Sequence, residues 1–136
     1  MNGTIFKLQS LIVDRNDLSK EHSAFNKSLV SCLKMSRLKQ LSFASCKLHP
    51  TIVEALGEGM KINRLLEHLC LRDNFISIDS LAPFFEACIA NAGIKLQHLD
   101  LSCNQLCDMS GSVISFALKK VTTLESLNLR DNQLGP

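Results

Sequence analysis

Four side chains carry most of the reactive chemistry of this sequence: His68, Cys70, His98 and Asp100. They form two short pairs, His-x-Cys at 68–70 and His-x-Asp at 98–100, set 30 residues apart. Imidazole, thiolate and carboxylate are together the donor set of a zinc site. "CNQLC", from Cys103 to Cys107, adds a second ligand-like spacing. A histidine near a serine is also the start of a hydrolytic centre, given a third group to orient the imidazole. None of these readings has a motif behind it. No C-x-x-C or H-E-x-x-H is present, and no G-x-x-x-x-G-K-[ST] phosphate loop or G-x-S-x-G elbow. The sequence therefore predicts no metal, no cofactor and no catalytic residue. What these side chains do depends on the elements that hold them.

Those elements are repeats. "LQHLDLSCNQL", from Leu96 to Leu106, has four sister copies: "LQSLIVDRNDL" from Leu8, "LKQLSFASCKL" from Leu38, "LEHLCLRDNFI" from Leu66 and "LESLNLRDNQL" from Leu124. All five fit L-x-x-L-x-[LVF]-x-x-[NC]-x-[LI], at intervals of 30, 28, 30 and 28 residues. Counting the first leucine as offset 0, offsets 3 and 5 alternate inward along a short strand, because a strand has a period of two. One such strand cannot bury its leucines, but stacked strands make a continuous core. Each fully buried aliphatic side chain contributes about 1.5–3 kcal/mol. Offset 8 holds Asn16, Cys46, Asn74, Asn104 and Asn132. An amide both donates and accepts, so it can satisfy turn groups that have no sheet partner; a thiol does either only weakly.

This pattern is that of the leucine-rich repeat. The alternating long and short spacing resembles the ribonuclease-inhibitor-like subtype, which has a full helix in each unit. It is similar to the repeat regions of nucleotide-binding innate immune receptors. The resemblance implies a protein-interaction scaffold binding its partner through the concave face. Ran GTPase-activating protein is built from similar repeats, so a GTPase-activating role is the alternative, beside a purely structural segment of a larger receptor. The expected fold class is α/β: a right-handed curved solenoid, a horseshoe arc with a parallel concave sheet and outer helices. Curvature follows from size, since helices are about 10 Å wide and strands sit about 4.8 Å apart. Four repeats and the start of a fifth occupy 8–37, 38–65, 66–95, 96–123 and 124–136. Residues 1–7 offer little to cap the stack beyond Ile5 and Phe6. "RDNQLGP" stops where members of this family lead into another helix, so a piece of a longer array is expected.

The segments between strands predict helices. Ser19 is the expected first cap, with Phe25, Leu29 and Leu33 on the apolar face. Thr51 and Glu54 can form a capping box over Val53, Leu56 and Met60, with Pro50 at the first helical position after His49 as the alternative frame. "GEG" at 57–59 reads as helix termination. Asp79 or Ser80 caps the third helix, Pro83 falls in its first turn, and Leu81, Phe84, Phe85 and Cys88 face the core. Gly93 is its expected C-cap. Ser110 or Ser112 caps the fourth, with Val113, Ile114, Ala117, Leu118 and Val121 inward.

Offsets 2, 4 and 6 face solvent and form three rows across the sheet. Among them, His68, Arg72, His98, Asp100, Asn128 and Arg130 are the candidate partner contacts. Charges there supply specificity and steering more than bulk affinity. A flat sheet presents its side chains nearly parallel, which disfavours a tetrahedral metal at His68, Cys70, His98 and Asp100. The chain has 136 residues, 15 basic and 13 acidic side chains and no Trp or Tyr. That balance points to neither nucleic acid nor an anionic membrane. No stretch approaches the roughly 20 apolar residues of a membrane span. Lys7, Gln9 and Ser10 interrupt any signal-peptide core. A cytoplasmic setting is expected, with six cysteines as reduced thiols, and the sequons at Asn2 and Asn26 are discounted as chance.

Overall fold

The structure is a computed structural model that describes residues 7–135. Asn2, Ile5 and Phe6 therefore lie outside the described residues. Five three-residue strands follow the repeats: β1 (Ser10–Ile12), β2 (Gln40–Ser42), β3 (His68–Cys70), β4 (His98–Asp100) and β5 (Ser126–Asn128). Helices α1 (Ser23–Met35), α2 (Pro50–Met60), α3 (Ile78–Ala90) and α4 (Ser110–Lys120) connect them. The strands form one parallel sheet in chain order. Each pairs offset 2 with offset 2, so Leu11, Leu41, Leu69, Leu99 and Leu127 lie side by side. The result is an α/β solenoid, with the sheet on the concave face and the helices outside.

The core lies between these layers. Leu38, Leu41, Phe43, Leu66, Leu69, Leu71, Leu96, Leu99 and Leu101 are buried from the strand side. Leu33, Ile52, Leu56, Met60, Leu81, Phe84, Phe85 and Ala117 meet them from the helices. Phe84 and Phe85 pack edge to face, with ring centroids 5.8 Å apart.

Offset 8 organises the turns. Asn74 Nδ2 donates to the Phe43 carbonyl at 2.8 Å and the Arg72 carbonyl at 3.0 Å. Its Oδ1 accepts from the N–H groups of Cys46 at 2.9 Å and Leu48 at 3.3 Å. Asn104 repeats this, accepting from Asn74 and Ile76 and donating to Leu71, Leu101 and Ser102. Asn132 accepts from Leu106 and donates to Leu101, Leu129 and Arg130. Asn16 donates only to its own turn, at Val13 and Asp14. Cys46 offers a thiol at 3.3 Å from the Val13 carbonyl and 3.5 Å from that of Ala44. Burial raises the Cys46 thiol above its ordinary pKa, and nearby backbone N–H groups of Asn16 and Arg15 oppose that.

Offset 7 is a backbone feature the pattern did not reveal. Arg15, Ser45, Asp73, Cys103 and Asp131 all have φ between 55° and 60°. Every repeat thus takes a left-handed residue before its offset-8 side chain, and none is glycine. Asn and Asp tolerate this region, whereas bulkier residues are strained there.

Several helix boundaries differ from expectation. Ser19 does not cap α1, which starts four residues later; its N–H and hydroxyl both donate to Asp17 Oδ1, at 3.0 and 2.5 Å. Those bonds hold the Asp17 carboxyl below its ordinary range. The N-cap is His22, without a side-chain bond. The Thr51–Glu54 box does not form either. His49 caps α2, its Nδ1 accepting from the Thr51 N–H at 3.3 Å, with Pro50 in the alternative frame. Asn26 Nδ2 then donates to Thr51 Oγ1 at 3.0 Å and ties α1 to α2. "GEG" falls in the last turn of α2, where the Gly57 and Gly59 carbonyls accept the N–H bonds that close the helix; a Cβ on Gly59 would sit 2.5 Å from Leu33 Cδ1, so glycine there also lets two helices approach.

Helix α3 begins at Ile78 after Ser77, so Pro83 falls in the second turn instead of the first. Its exposed position leaves the freed Asp79 carbonyl open to water. Gly93 has no left-handed φ; a Cβ there would meet the Arg64 side chain at 2.7 Å. Asn91 ends α3 instead. It is buried, donates to the carbonyls of Met60 and Asn63 at 2.8 and 2.6 Å, and accepts from Gly93. Asn63 does the same one repeat earlier, toward Leu33, Leu65 and Leu66. For α4 the N-cap is Met109: Ser110 is buried inside the helix with its Oγ accepting from Cys107, and Ser112 donates to the Met109 carbonyl. Leu118 is 48% exposed, not inward.

Candidate functional site

The alternation that buries offsets 3 and 5 turns offsets 2 and 4 outward from the same strands. The register aligns them across repeats: His68 beside His98, Cys70 beside Asp100, Asp100 beside Asn128. They floor an open groove of about 480 Å³, which Asp14, Ser42 and Ser126 also line.

His68 and His98 stack face to face, with centroids 4.4 Å apart and planes 18° from parallel. Their nitrogens therefore lie in parallel planes. Among the described residues no group of three or more His, Cys, Asp and Glu is placed to hold a metal ion. All six cysteines are free thiols. Cys70, Cys103 and Cys107 are half-buried, while burial pushes the Cys88 thiol up to about 12.

Both acidic groups of the groove are anchored by neighbouring hydroxyls. Asp100 Oδ1 accepts from the Ser102 N–H at 2.9 Å and its hydroxyl at 2.6 Å, which draws Ser102 into the structure. Asp14 Oδ1 accepts from Ser42 Oγ at 2.5 Å and the Ala44 N–H at 2.9 Å. Asn128 Oδ1 accepts from the Arg130 N–H at 3.1 Å. These carboxylates are fixed in direction, each with its second oxygen left for a ligand.

Of the six expected contacts, His68, His98, Asp100 and Asn128 line the groove. Arg72 and Arg130 do not. Arg72 is exposed on the rim, beside a hollow shared with Arg15, Ser45, Asp73 and Cys103. Arg130 sits further along that rim, its Nε 3.4 Å from Asp131. Offset 6 lies past the strand, where the turn has begun, and of its described residues Asp14 alone lines the groove. The reading missed Asp14, although its place in the offset-6 row was the available signal. It also passed over Ile12, 61% exposed at the groove's end.

One parallel strand, one turn and one outer helix, repeated in register, define a repeat solenoid with a displayed concave row. A family model described as "Leucine Rich Repeat" matches residues 95–117, and another of the same description matches 121–136. The chain is a leucine-rich repeat protein. It is 32% identical over 112 residues, 80% of its length, to mouse (Mus musculus) "Preferentially expressed antigen in melanoma-like protein 7". It is 33% identical over 110 residues, 79% of its length, to mouse "NACHT, LRR and PYD domains-containing protein 14". The matches cover 22% and 11% of those proteins, so the chain spans less than a quarter of the curated relatives it matches. Among solved structures, the tropomodulin C-terminal domain of Caenorhabditis elegans superposes with a TM-score of 0.74 at 14% identity. That match covers 91% of this chain and 74% of the other, and it speaks to the fold alone.

Proposed function

We propose that this chain is a protein-interaction module that seats a partner protein in its concave groove. Leucine-rich repeats are in general protein-interaction modules. The observation that carries the concave site is the continuous row His68, His98, Asp100 and Asn128. These side chains stand outside the core, and Asp100 and Asn128 are braced by Ser102 and Arg130. Arg72 and Arg130 guard one rim and supply steering and discrimination. A full helix in each of the four complete repeats supports the ribonuclease-inhibitor-like subtype. Six free thiols support a reducing, cytoplasmic setting.

The test is affinity capture with the full-length protein, comparing wild type with the combined variant Arg72→Glu, Asp100→Lys, Arg130→Glu. Loss of specific partners, with unchanged circular dichroism, supports the reading. Retention of every captured partner overturns it.

A further inference from the structure

A second surface lies on the opposite side of the molecule. On the outward face of the helices, offset 20 holds Ser28, Glu58, Glu86 and then Phe116, all exposed. Two successive repeats fill this position with glutamate. Phe116 is 56% exposed there. It also faces α3, across a groove of about 260 Å³ that Ala82, Phe85, Ile89 and Val113 line with it. Two of its three sister repeats place a glutamate where this aromatic side chain stands.

The charges around it say what would cover it. Glu86 lies on the ridge between this groove and the next one, where Glu54 and Glu58 stand on α2. Glu58 is paired with Lys61 at 2.9 Å. Among the described residues, Glu54 and Glu86 have no cation within bonding distance. At the other end, Lys120 lies over the Phe116 ring, 5.9 Å from its centroid. The surface therefore joins an apolar slot to two uncompensated carboxylates on one side of it.

From this juxtaposition we propose that the α3–α4 groove is a docking site for a basic amphipathic helix of a partner protein. An apolar side chain of that helix enters between Ile89, Val113 and Phe116. Lysine or arginine residues one to two turns away face Glu86 and Glu54. Apolar anchors with flanking charges are how helix-in-groove recognition works. The site is independent of the concave groove and its binding reading.

The experiment titrates the protein into a fluorescein-labelled 16-residue leucine–lysine amphipathic helix and reads anisotropy. A leucine–glutamate helix of the same length is the control. The lysine helix binds the wild type and the glutamate helix does not. Phe116→Glu, which extends the acidic row at an exposed position, weakens binding by about tenfold or more. Glu54→Gln with Glu86→Gln weakens it several-fold, and the loss shrinks as salt rises. Arg72→Glu on the rim and Asp100→Lys in the concave groove leave it unchanged. Four outcomes overturn the proposal: no binding of the lysine helix up to the millimolar range, equal binding of the glutamate helix, indifference to Phe116→Glu, or a Phe116-dependent dimer in sedimentation velocity. Circular dichroism of each variant controls for folding.

Discussion

Asn74→Ala tests whether the offset-8 amides hold the repeats together. The side chain is buried and makes four hydrogen bonds, two donated and two accepted. A typical net contribution is about 0.5–1.5 kcal/mol per bond, which sets the scale near 4 kcal/mol. The four orphaned partners do not suffer equally. Arg72 is exposed, and its carbonyl also accepts from the Ser45 N–H, so it loses little. The N–H groups of Cys46 and Leu48 belong to buried residues. An unsatisfied buried donor or acceptor costs about 1–3 kcal/mol, so these two and the buried Phe43 carbonyl dominate, and the expected loss is about 3–5 kcal/mol. Against a typical total of about 5–15 kcal/mol, that is a large share.

Urea unfolding followed by ellipticity at helical wavelengths is the assay, since the chain has no Trp or Tyr to report by fluorescence. Asn16→Ala is the internal control. That residue is exposed and bonds only to carbonyls of its own turn, so its loss is expected to cost under about 1 kcal/mol. Asn74 and Asn104 share the bond from the Asn74 N–H to Asn104 Oδ1, at 3.0 Å. That donor is main chain and survives Asn74→Ala, so the single variant keeps this bond to Asn104. Equal destabilisation by Asn74→Ala and Asn16→Ala would refute the reasoning: the ladder would then be a consequence of stacking and not a contributor to it.

Three further outcomes follow from the packing and the thiols. Gly59→Ala places a Cβ 2.5 to 2.7 Å from Leu33 atoms, including its Cβ, and should cost about 1–3 kcal/mol in the same unfolding assay. The Cys88 thiol is raised to about 12 in the folded chain. Its unfolded value is near 8.5, so its stabilising contribution is complete below that pH and is lost as pH climbs toward 12. At most about 5 kcal/mol is at stake, and Cys88→Ala should flatten the decline of stability between about pH 9 and 11. Maleimide labelling at neutral pH should modify Cys70 and Cys103 in the native protein and reach Cys46 and Cys88 only on unfolding. Equal native labelling of all four would contradict the burial described above.

The strand side was legible because one short period controls it. Leu99 and Leu101 must be inward, so His98 and Asp100 must be outward, and the register then sets His98 beside His68 without further information. The amide of Asn104 could be assigned its work from its chemistry alone. The helix caps were less legible, since several polar residues near each start compete. Ser19 was captured by Asp17, and His49 did the work expected of Thr51, because a bond within two residues forms whatever helix follows. Neither outcome is visible in spacing.

The helix exteriors were hidden for a different reason. Inward positions announce themselves through shared apolarity. Outward ones share only the freedom to vary, so a single residue such as Phe116 carries no signal until the repeats are superposed and Glu58 and Glu86 are found in its place. The same superposition exposes the left-handed residue at offset 7, which four different kinds of side chain occupy. A repeat solenoid thus separates two kinds of information. Positions that agree between copies build the scaffold, because each copy must meet its neighbour in the same way. Positions that disagree are released from that demand. A large side chain found at one of them, with solvent on one side and a groove on the other, owes its presence to something outside the stack.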